Sequence, residues 1–156
     1  KLGPVEFDTE DVSFADEIRK TLSADDIAAS FQRAGRQTPP DLPLCDFVAP
    51  LERSSTGSEG STDVGDVSWV TPTVQAQVAT CAVGTPLHTW QTVAQGKAPA
   101  AHKGMVHAAK VMAATATHLI NSPETLQAAR DFHDQRQNTN PYVCPIPTGQ
   151  KPPIVE

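Results

Sequence analysis

Residues 57–102 read GSEGSTDVGDVSWVTPTVQAQVATCAVGTPLHTWQTVAQGKAPAAH. Within this stretch, apolar and polar side chains alternate through residues 72–81, which is the period of a β-strand with one buried face. Gly84 and Pro86 end that pattern and predict a loop at the carboxyl end of the strand. Open α/β sheets bind their ligands at this end. His88, which lies in the loop, is therefore the first candidate functional residue.

Composition limits the classes of function. The 156 residues have the length of one domain, and the formal net charge of −6 argues against a nucleic-acid-binding surface. No apolar run approaches the roughly 18 residues that a membrane-spanning helix needs. The first residues lack the basic segment and the apolar segment of a signal peptide, so none is predicted.

The three cysteines, Cys45, Cys81 and Cys144, are widely spaced. They form no CxxC pair and no Cys/His pair at chelating spacing, which argues against a structural zinc site. An odd number of cysteines without a signal peptide predicts a reducing, cytoplasmic location. We expect all three to have packing roles.

The first half of the chain predicts short helices. Asp11 can cap a helix with Phe14, Ile18 and Leu22 as its apolar stripe, and Ser23 can cap a second helical or irregular piece. Residues 42–51 are apolar but contain two prolines, so an edge strand or an extended segment is expected there.

The segment before the predicted strand is polar and then amphipathic. Residues 54–62, SSTGSEGST, predict a flexible loop. Thr62 or Asp63 can then cap a short helix that carries Val64, Val67 and Trp69.

A long helix is predicted from residue 100 to about residue 120. One stripe is apolar and another is more polar, so the first is expected to pack and His107 and His118 are expected at the surface. The apolar stripe contains Met105, Ala108, Ala109, Met112, Ala116 and Leu119. Ser122 and Pro123 begin a last helix to about residue 137, and an extended, proline-rich tail follows.

Three runs of sequence resemble the C-terminal part of the aminoacylase/carboxypeptidase-type metallo-amidohydrolases: GSTDVGDVSWV (60–70), AVGTPLHTWQ (82–91) and AHKGMVHAAKVMAAT (101–115). The tail PYVCPIP (141–147) is also similar. The resemblance extends over about residues 14–147, is strongest over 57–114, and is greatest to the family members that act on aminobenzoyl-glutamate.

The resemblance implies an α/β fold, in which residues 1–156 are the C-terminal segment of a discontinuous three-layer catalytic domain of the zinc-peptidase type. Residues 1–56 would be a helical and irregular lead-in. Residues 57–120 would contain the strand, the His88 loop and the long helix, and residues 121–156 the last helix and the tail. Because residues alone predict one firm strand, the chain is expected to be only part of a sheet domain.

The resemblance also implies a function. By this resemblance, the protein would use two divalent ions, zinc or manganese, to hydrolyse an amide bond to glutamate. The substrate would be p-aminobenzoyl-glutamate or a similar N-acyl amino acid, and the reaction would belong to folate catabolism. His88 matches the metal ligand that the C-terminal portion contributes. In this family a Thr-Asp step after a glycine-rich turn borders the active-site cleft, and Thr62 and Asp63 match that step. His102 is a further candidate because its place at the start of the long helix would let its ring face the same cleft. No catalytic residue is identified in this chain, which has no HxD, Glu-Glu or HExxH motif.

Two functional interpretations remain open. The chain is either one piece of a metal-dependent amidohydrolase or a non-catalytic module for subunit association or small-molecule binding. The start at Lys1, without Met, favours the first. The expected partners are the missing N-terminal catalytic part and lid domain, a paralogous subunit or a second copy, and a small-molecule substrate, with no nucleic acid and no membrane.

Overall fold

The computed structural model describes residues 2–36, 41–51 and 62–151. Their helices are α1 (Thr9–Arg19), α2 (Ala24–Arg33), α3 (Val64–Val70), α4 (Trp90–Gln95), α5 (Pro99–Asn121) and α6 (Pro123–Thr139). The chain divides into two compact units. The first contains Lys1–Gly60 and Gln75–His118, and the second contains Ser61–Val74 and Leu119–Glu156. Within the described ranges, no helix has the length and apolar character to cross a membrane. Of the loop predicted at residues 54–62, residues 54–61 lie outside the described residues.

The cap of helix α1 lies three residues before the predicted one. Asp8 is the N-cap, and its Oδ1 accepts hydrogen bonds from the backbone N–H groups of Glu10 and Asp11, both at 3.0 Å. Asp11 Oδ2 in turn accepts from the backbone N–H of Asp8 at 3.0 Å, which completes a capping box. Asp11 is therefore the third residue of the helix, and its side chain is buried.

The predicted cap of the second helix is confirmed. Ser23 Oγ accepts from the backbone N–H of Asp26 at 3.1 Å and begins α2. Phe31, near the end of α2, is one of the least exposed side chains of the first unit. The predicted long and last helices are also confirmed as α5 and α6, with ends within two residues of the expected ones.

The core of the first unit is small. It joins Ala15 and Ile18 of α1 to Leu44, Ala82 and Ala100, which come from an extended segment, a loop and α5. Many large apolar side chains of this unit stay exposed, among them Leu87 at 77 % and Val93 at 79 %. The unit thus buries little of its apolar surface for its size.

The strand predicted for residues 72–81 does not form, and residues 42–51 form none either. No residue in the described ranges belongs to a β-strand. One backbone hydrogen bond, from Val83 N–H to Pro43 O at 2.9 Å, joins the residues just after the first region to the second. A β-strand requires a ladder of such hydrogen bonds to a neighbouring strand. The alternating pattern favours an extended backbone, but it does not provide a neighbouring strand to pair with. The α/β class is therefore not confirmed, and the described chain is helical.

Helix α5 packs mainly with a different face from the one its sequence predicts. Ala100 and Gly104 are its buried residues, and His107 is half-buried on the same side. Met105 and Met112, which were expected to pack, are 60 % and 63 % exposed. The prediction that His107 is a surface residue is therefore wrong, because small side chains allow this face to approach the rest of the unit closely.

The second unit is organised around Trp69 of α3. Its ring centroid lies 5.9 Å from that of Tyr142, and the Arg136 guanidinium carbon of α6 lies 5.1 Å from the Trp69 ring centroid. Gln137 Nε2 donates a hydrogen bond to the Trp69 carbonyl. Tyr142 donates its hydroxyl hydrogen bond to Asp66 Oδ1 at 3.1 Å, and this bond raises the pKa of Tyr142 to about 12. Asp66 thus has a structural partner.

Candidate functional site

A tight turn opens the loop that carries His88. Gly84 has a φ of +96°, and a Cβ atom there would lie 2.7 Å from Ile27 Cγ1 and 2.9 Å from Ile27 Cα. Thr85 donates to the Ala82 carbonyl twice, from its backbone N–H at 3.1 Å and from its hydroxyl at 2.7 Å. Only glycine combines this backbone conformation with so close an approach to α2. The turn therefore has a single geometry.

The other end of the loop is fixed by two threonines. The hydroxyls of Thr89 and Thr92 both donate to the Pro86 carbonyl, at 2.8 and 2.6 Å. Thr89 is also the N-cap of α4, since its Oγ1 accepts from the backbone N–H of Thr92 at 3.4 Å. The entrance to α4 and the Pro86 carbonyl are therefore one hydrogen-bonded unit.

His88 lies between these two fixed points and is exposed. Its φ is 61°, and among the described residues it is the single non-glycine residue with a positive φ. This conformation is uncommon for a residue with a side chain, although histidine adopts it more readily than most. Strained backbone of this kind concentrates at functional positions. The loop thus presents an imidazole to solvent in a defined, strained conformation.

Gln95 connects the turn to α4 from inside the unit. It is 3 % exposed and its side-chain amide makes three hydrogen bonds. Oε1 accepts from the Ala82 N–H at 2.7 Å, and Nε2 donates to Thr85 Oγ1 and to the Gln91 carbonyl, both at 3.0 Å. Every principal donor and acceptor of the amide is used. Neither Gln95 nor α4 is predicted from the sequence.

The other predicted site residues occupy two different units. His102 is exposed in the first turn of α5, in the same unit as His88. Thr62 and Asp63 belong to the second unit, at the start of α3. Thr62 Oγ1 accepts from the Val64 N–H at 3.4 Å, whereas the Asp63 side chain makes no capping hydrogen bond. Of the two predicted caps, Thr62 is thus the one that binds the helix end.

The residues present fit a contributor of one metal ligand and not a complete metal site. Across the part of the chain that the structure describes, no three His, Cys, Asp or Glu side chains are close enough together to hold an ion. Two ions need several such ligands. His88 meets the requirement for a single ligand, because its imidazole is accessible on a loop fixed at both ends.

A salt-bridge cluster lies beside α5 in the first unit. Lys103 Nζ donates to Asp8 Oδ2 at 2.5 Å and to Asp11 Oδ2. The hydrogen bonds to Asp11 and Asp8 raise the pKa of Lys103, and the hydrogen bond from Lys103 lowers the pKa of Asp8. This cluster joins α1 to α5, two helices that are far apart in the sequence. Its role is structural, because Lys103 is paired with both carboxylates and holds the two helices together.

The three cysteines are free. Cys45 and Cys81 are half-buried and line a groove of about 530 Å³ in the first unit, together with His107 and Arg33. Burial raises the pKa of the Cys45 thiol, which keeps it protonated and weakly nucleophilic. The packing role expected for these two residues agrees with this environment.

Comparison with known proteins identifies one informative relative. The chain is 41 % identical over 161 aligned residues to the B subunit of p-aminobenzoyl-glutamate hydrolase from Escherichia coli (strain K12). The resemblance to the aminobenzoyl-glutamate hydrolases is confirmed. The alignment includes 97 % of this chain but 34 % of the relative, so the chain spans about a third of that protein's length. No protein-family model and no solved structure matches the chain.

Proposed function

We propose that this chain is part of a metal-dependent amidohydrolase that cleaves an amide bond to glutamate. The substrate would be p-aminobenzoyl-glutamate or a similar N-acyl amino acid. Its cleavage would be a step in folate catabolism. The observation that carries the proposal is the exposed position of His88, with a positive φ, on a loop fixed at both ends. The chain that carries this loop is 41 % identical to part of the B subunit of a p-aminobenzoyl-glutamate hydrolase.

In this proposal, the chain contributes one ligand and the rest of the protein completes the site. Two divalent ions, zinc or manganese, would supply a polarised carbonyl and a water of lowered pKa. His88 would hold an imidazole nitrogen at a fixed position, and the strained loop would prevent it from turning away. The remaining ligands and the general base would come from the N-terminal catalytic part, with a lid domain above the substrate.

The other predicted residues receive supporting roles. His102 is accessible at the start of α5 and would contact the substrate. The Asp63 side chain makes no capping hydrogen bond, which leaves its carboxylate available to orient a ligand, while Thr62 would border the cleft from the start of α3. The roles of Thr62 and Asp63 follow from the positions that they share with the resembled family, and the role of His102 follows from its exposed place at the start of α5.

The rest of the protein would also complete the fold. Residues 72–80 form no regular structure and most are exposed. A strand from the rest of the protein would pair with them and make them part of the sheet of a three-layer α/β domain. The exposed face of α5 with Met105, Val106 and Met112 would then be covered. The relative's name marks it as one subunit of its enzyme, and we propose that this protein likewise assembles with a paralogous subunit or with a second copy. The three free thiols suit a reducing cytoplasm.

The proposal is tested by comparing two purified proteins, the full-length protein that contains this chain and the 156-residue chain alone. We expect the full-length protein, with its partner subunit, to release glutamate from p-aminobenzoyl-glutamate. This activity should be lost after treatment with a chelator. We expect the isolated chain to be inactive. Hydrolysis that persists after complete metal removal, or hydrolysis by the isolated chain, would contradict the proposal.

The non-catalytic alternative remains because the described residues contain no three-ligand group. Under that alternative, the full-length protein would bind p-aminobenzoyl-glutamate or its partner subunit without any turnover. The same assay therefore separates the two functions.

A further inference from the structure

We propose that Gln95 is a positioning residue for His88, and that its buried amide sets the metal affinity of the site to which His88 contributes. This inference rests on the proposed function. It adds a residue that touches neither substrate nor metal and that acts through the geometry of the loop.

The directions of the three hydrogen bonds specify an amide at position 95. The Thr85 hydroxyl proton is donated to the Ala82 carbonyl, so Thr85 Oγ1 can only accept from Gln95 Nε2. The second N–H of Gln95 Nε2 is donated to the Gln91 carbonyl, and Gln95 Oε1 accepts from the Ala82 N–H. A side chain with two donors and one acceptor on a planar group satisfies all three. Glutamate at position 95 would place acceptors against two acceptors.

Burial of the Gln95 side chain makes the loss of any of these hydrogen bonds costly in free energy. Gln95 is 3 % exposed, so water does not replace a bond that is lost. An unsatisfied buried N–H or carbonyl carries a substantial desolvation penalty, and the turn would shift to recover the bonds with solvent. The amide therefore specifies one position of Ala82 and Thr85 relative to α4.

The fixed positions leave a very short free segment. Gln95 holds Ala82 and Thr85 at one side, and the hydroxyls of Thr89 and Thr92 hold the Pro86 carbonyl at the other. Only Leu87 and His88 lie between Pro86 and Thr89, and both are exposed. The backbone entropy of His88 is thus restricted before any metal binds, which favours binding by a ligand in one conformation.

The experiment uses the full-length protein and five variants. Gln95→Met removes the amide while it keeps a side chain of similar length, and Gln91→Met is the matched control. The Gln91 side chain donates to Thr21 Oγ1 at 3.5 Å and not to the loop, and its backbone carbonyl remains. Thr85→Val removes the hydroxyl that Gln95 binds, and Thr85→Ser restores it. His88→Ala is the reference for loss of the ligand.

Two measurements are made on each variant: the apparent dissociation constant for Zn²⁺ by competition with a chromophoric chelator, and backbone amide hydrogen exchange over residues 82–89. We expect Gln95→Met and Thr85→Val to weaken Zn²⁺ binding about 10–100-fold, the range typical of residues that orient a ligand. Amide exchange over the loop should accelerate in the same two variants. Gln91→Met and Thr85→Ser should remain close to the parent protein in both.

The outcomes separate this inference from the proposed function. If His88→Ala weakens Zn²⁺ binding but Gln95→Met and Thr85→Val do not, Gln95 is only structural and the inference is wrong. If His88→Ala itself leaves Zn²⁺ binding unchanged, the proposed function has failed first, and the inference fails with it. If Gln95→Met does not fold, the contrast between Thr85→Val and Thr85→Ser decides by the same readouts.

Discussion

Gly104 of α5 packs directly on the backbone carbonyl of Ala79, so that a Cβ atom at position 104 would overlap the carbonyl oxygen. The same Cβ atom would lie 2.8 Å from Thr80 Cγ2. This contact holds the end of the segment 72–80 against the helix. It also explains why α5 packs with its small residues and leaves its methionines exposed.

We predict that Gly104→Ala destabilises the chain. Helix propensity alone favours alanine over glycine by about 1 kcal/mol. The added Cβ atom would overlap a backbone carbonyl, which cannot move aside as a side chain can. This overlap should outweigh the gain and lower the free energy of unfolding by about 1–3 kcal/mol net. Urea unfolding of the 156-residue chain at low concentration, followed by far-UV circular dichroism, measures the change.

Gly65→Ala in α3 is the matched control. A Cβ atom at Gly65 meets nothing within 4 Å, so propensity acts there without a clash. This variant should be neutral or more stable by up to about 1 kcal/mol. Equal effects of the two substitutions would show that the contact between Gly104 and Ala79 does not exist.

We predict that Lys103→Met destabilises the first unit more than Lys20→Met does. Lys103 neutralises Asp11, whose side chain is 1 % exposed, and its loss would leave a buried carboxylate without a counter-charge. Lys20 pairs with Glu17 on the surface, where both side chains are largely exposed and such a pair contributes little. Thermal unfolding of the two variants provides the comparison, and equal shifts in Tm would contradict it.

The same cluster predicts a dependence of stability on pH. The pKa of Asp8 is lowered, so its contribution is present above the ordinary value of 3.8 and is lost as pH falls through the folded-state pKa. The pKa of Lys103 is raised, so its contribution is present below 10.5 and is lost as pH rises through the folded-state pKa. Stability attributable to the cluster should therefore be constant between about pH 5 and pH 9. In Lys103→Met, less stability should be lost at low pH and at high pH than in the parent chain. An unchanged pH profile in that variant would contradict the attribution of this loss to the cluster.

Tyr142 should titrate at an unusually high pH. It is the single tyrosine of the chain, so tyrosinate absorbance reports on it alone. Its hydrogen bond to Asp66 raises the pKa to about 12, so the phenol should still be largely protonated one pH unit below that value. Asp66→Asn removes the charge that opposes ionisation and should return the midpoint toward the ordinary value of 10.0. An ordinary midpoint in the parent chain, while circular dichroism shows it folded, would exclude the hydrogen bond.

The local features of the fold could be predicted from sequence. Ser23 at the start of α2, and Pro123 as the first residue of α6, are signals that act within one helical turn. The strand could not be predicted in the same way, because alternation indicates an extended backbone while pairing depends on residues elsewhere. The face of α5 was assigned wrongly for a related reason. The methionine stripe indicates a surface to be covered, and the described part of this chain does not cover it.

The site could be predicted only in part. The Gly-Thr-Pro pattern before His88 indicated a loop with an accessible histidine, and the structure adds its positive φ and its fixed ends. Gln95 had no signal in the sequence, because glutamine is usually exposed and nothing in a single sequence marks the exception. Helix α4 has six residues, which is too few for a clear apolar period, although Thr89 as its N-cap was a usable indication. Whether His88 binds metal stays a prediction.

The most direct test of the central claim is the metal content of the full-length protein with and without His88. The protein and its His88→Ala variant are purified in parallel, with His118→Ala near the end of α5 as the control. Metal per protein is measured by mass spectrometry, and hydrolysis of p-aminobenzoyl-glutamate is measured on the same samples. We predict that His88→Ala loses about one of two ions and at least ~100-fold in activity, with an unchanged circular dichroism spectrum. Full metal content and near-normal turnover in His88→Ala would contradict the account.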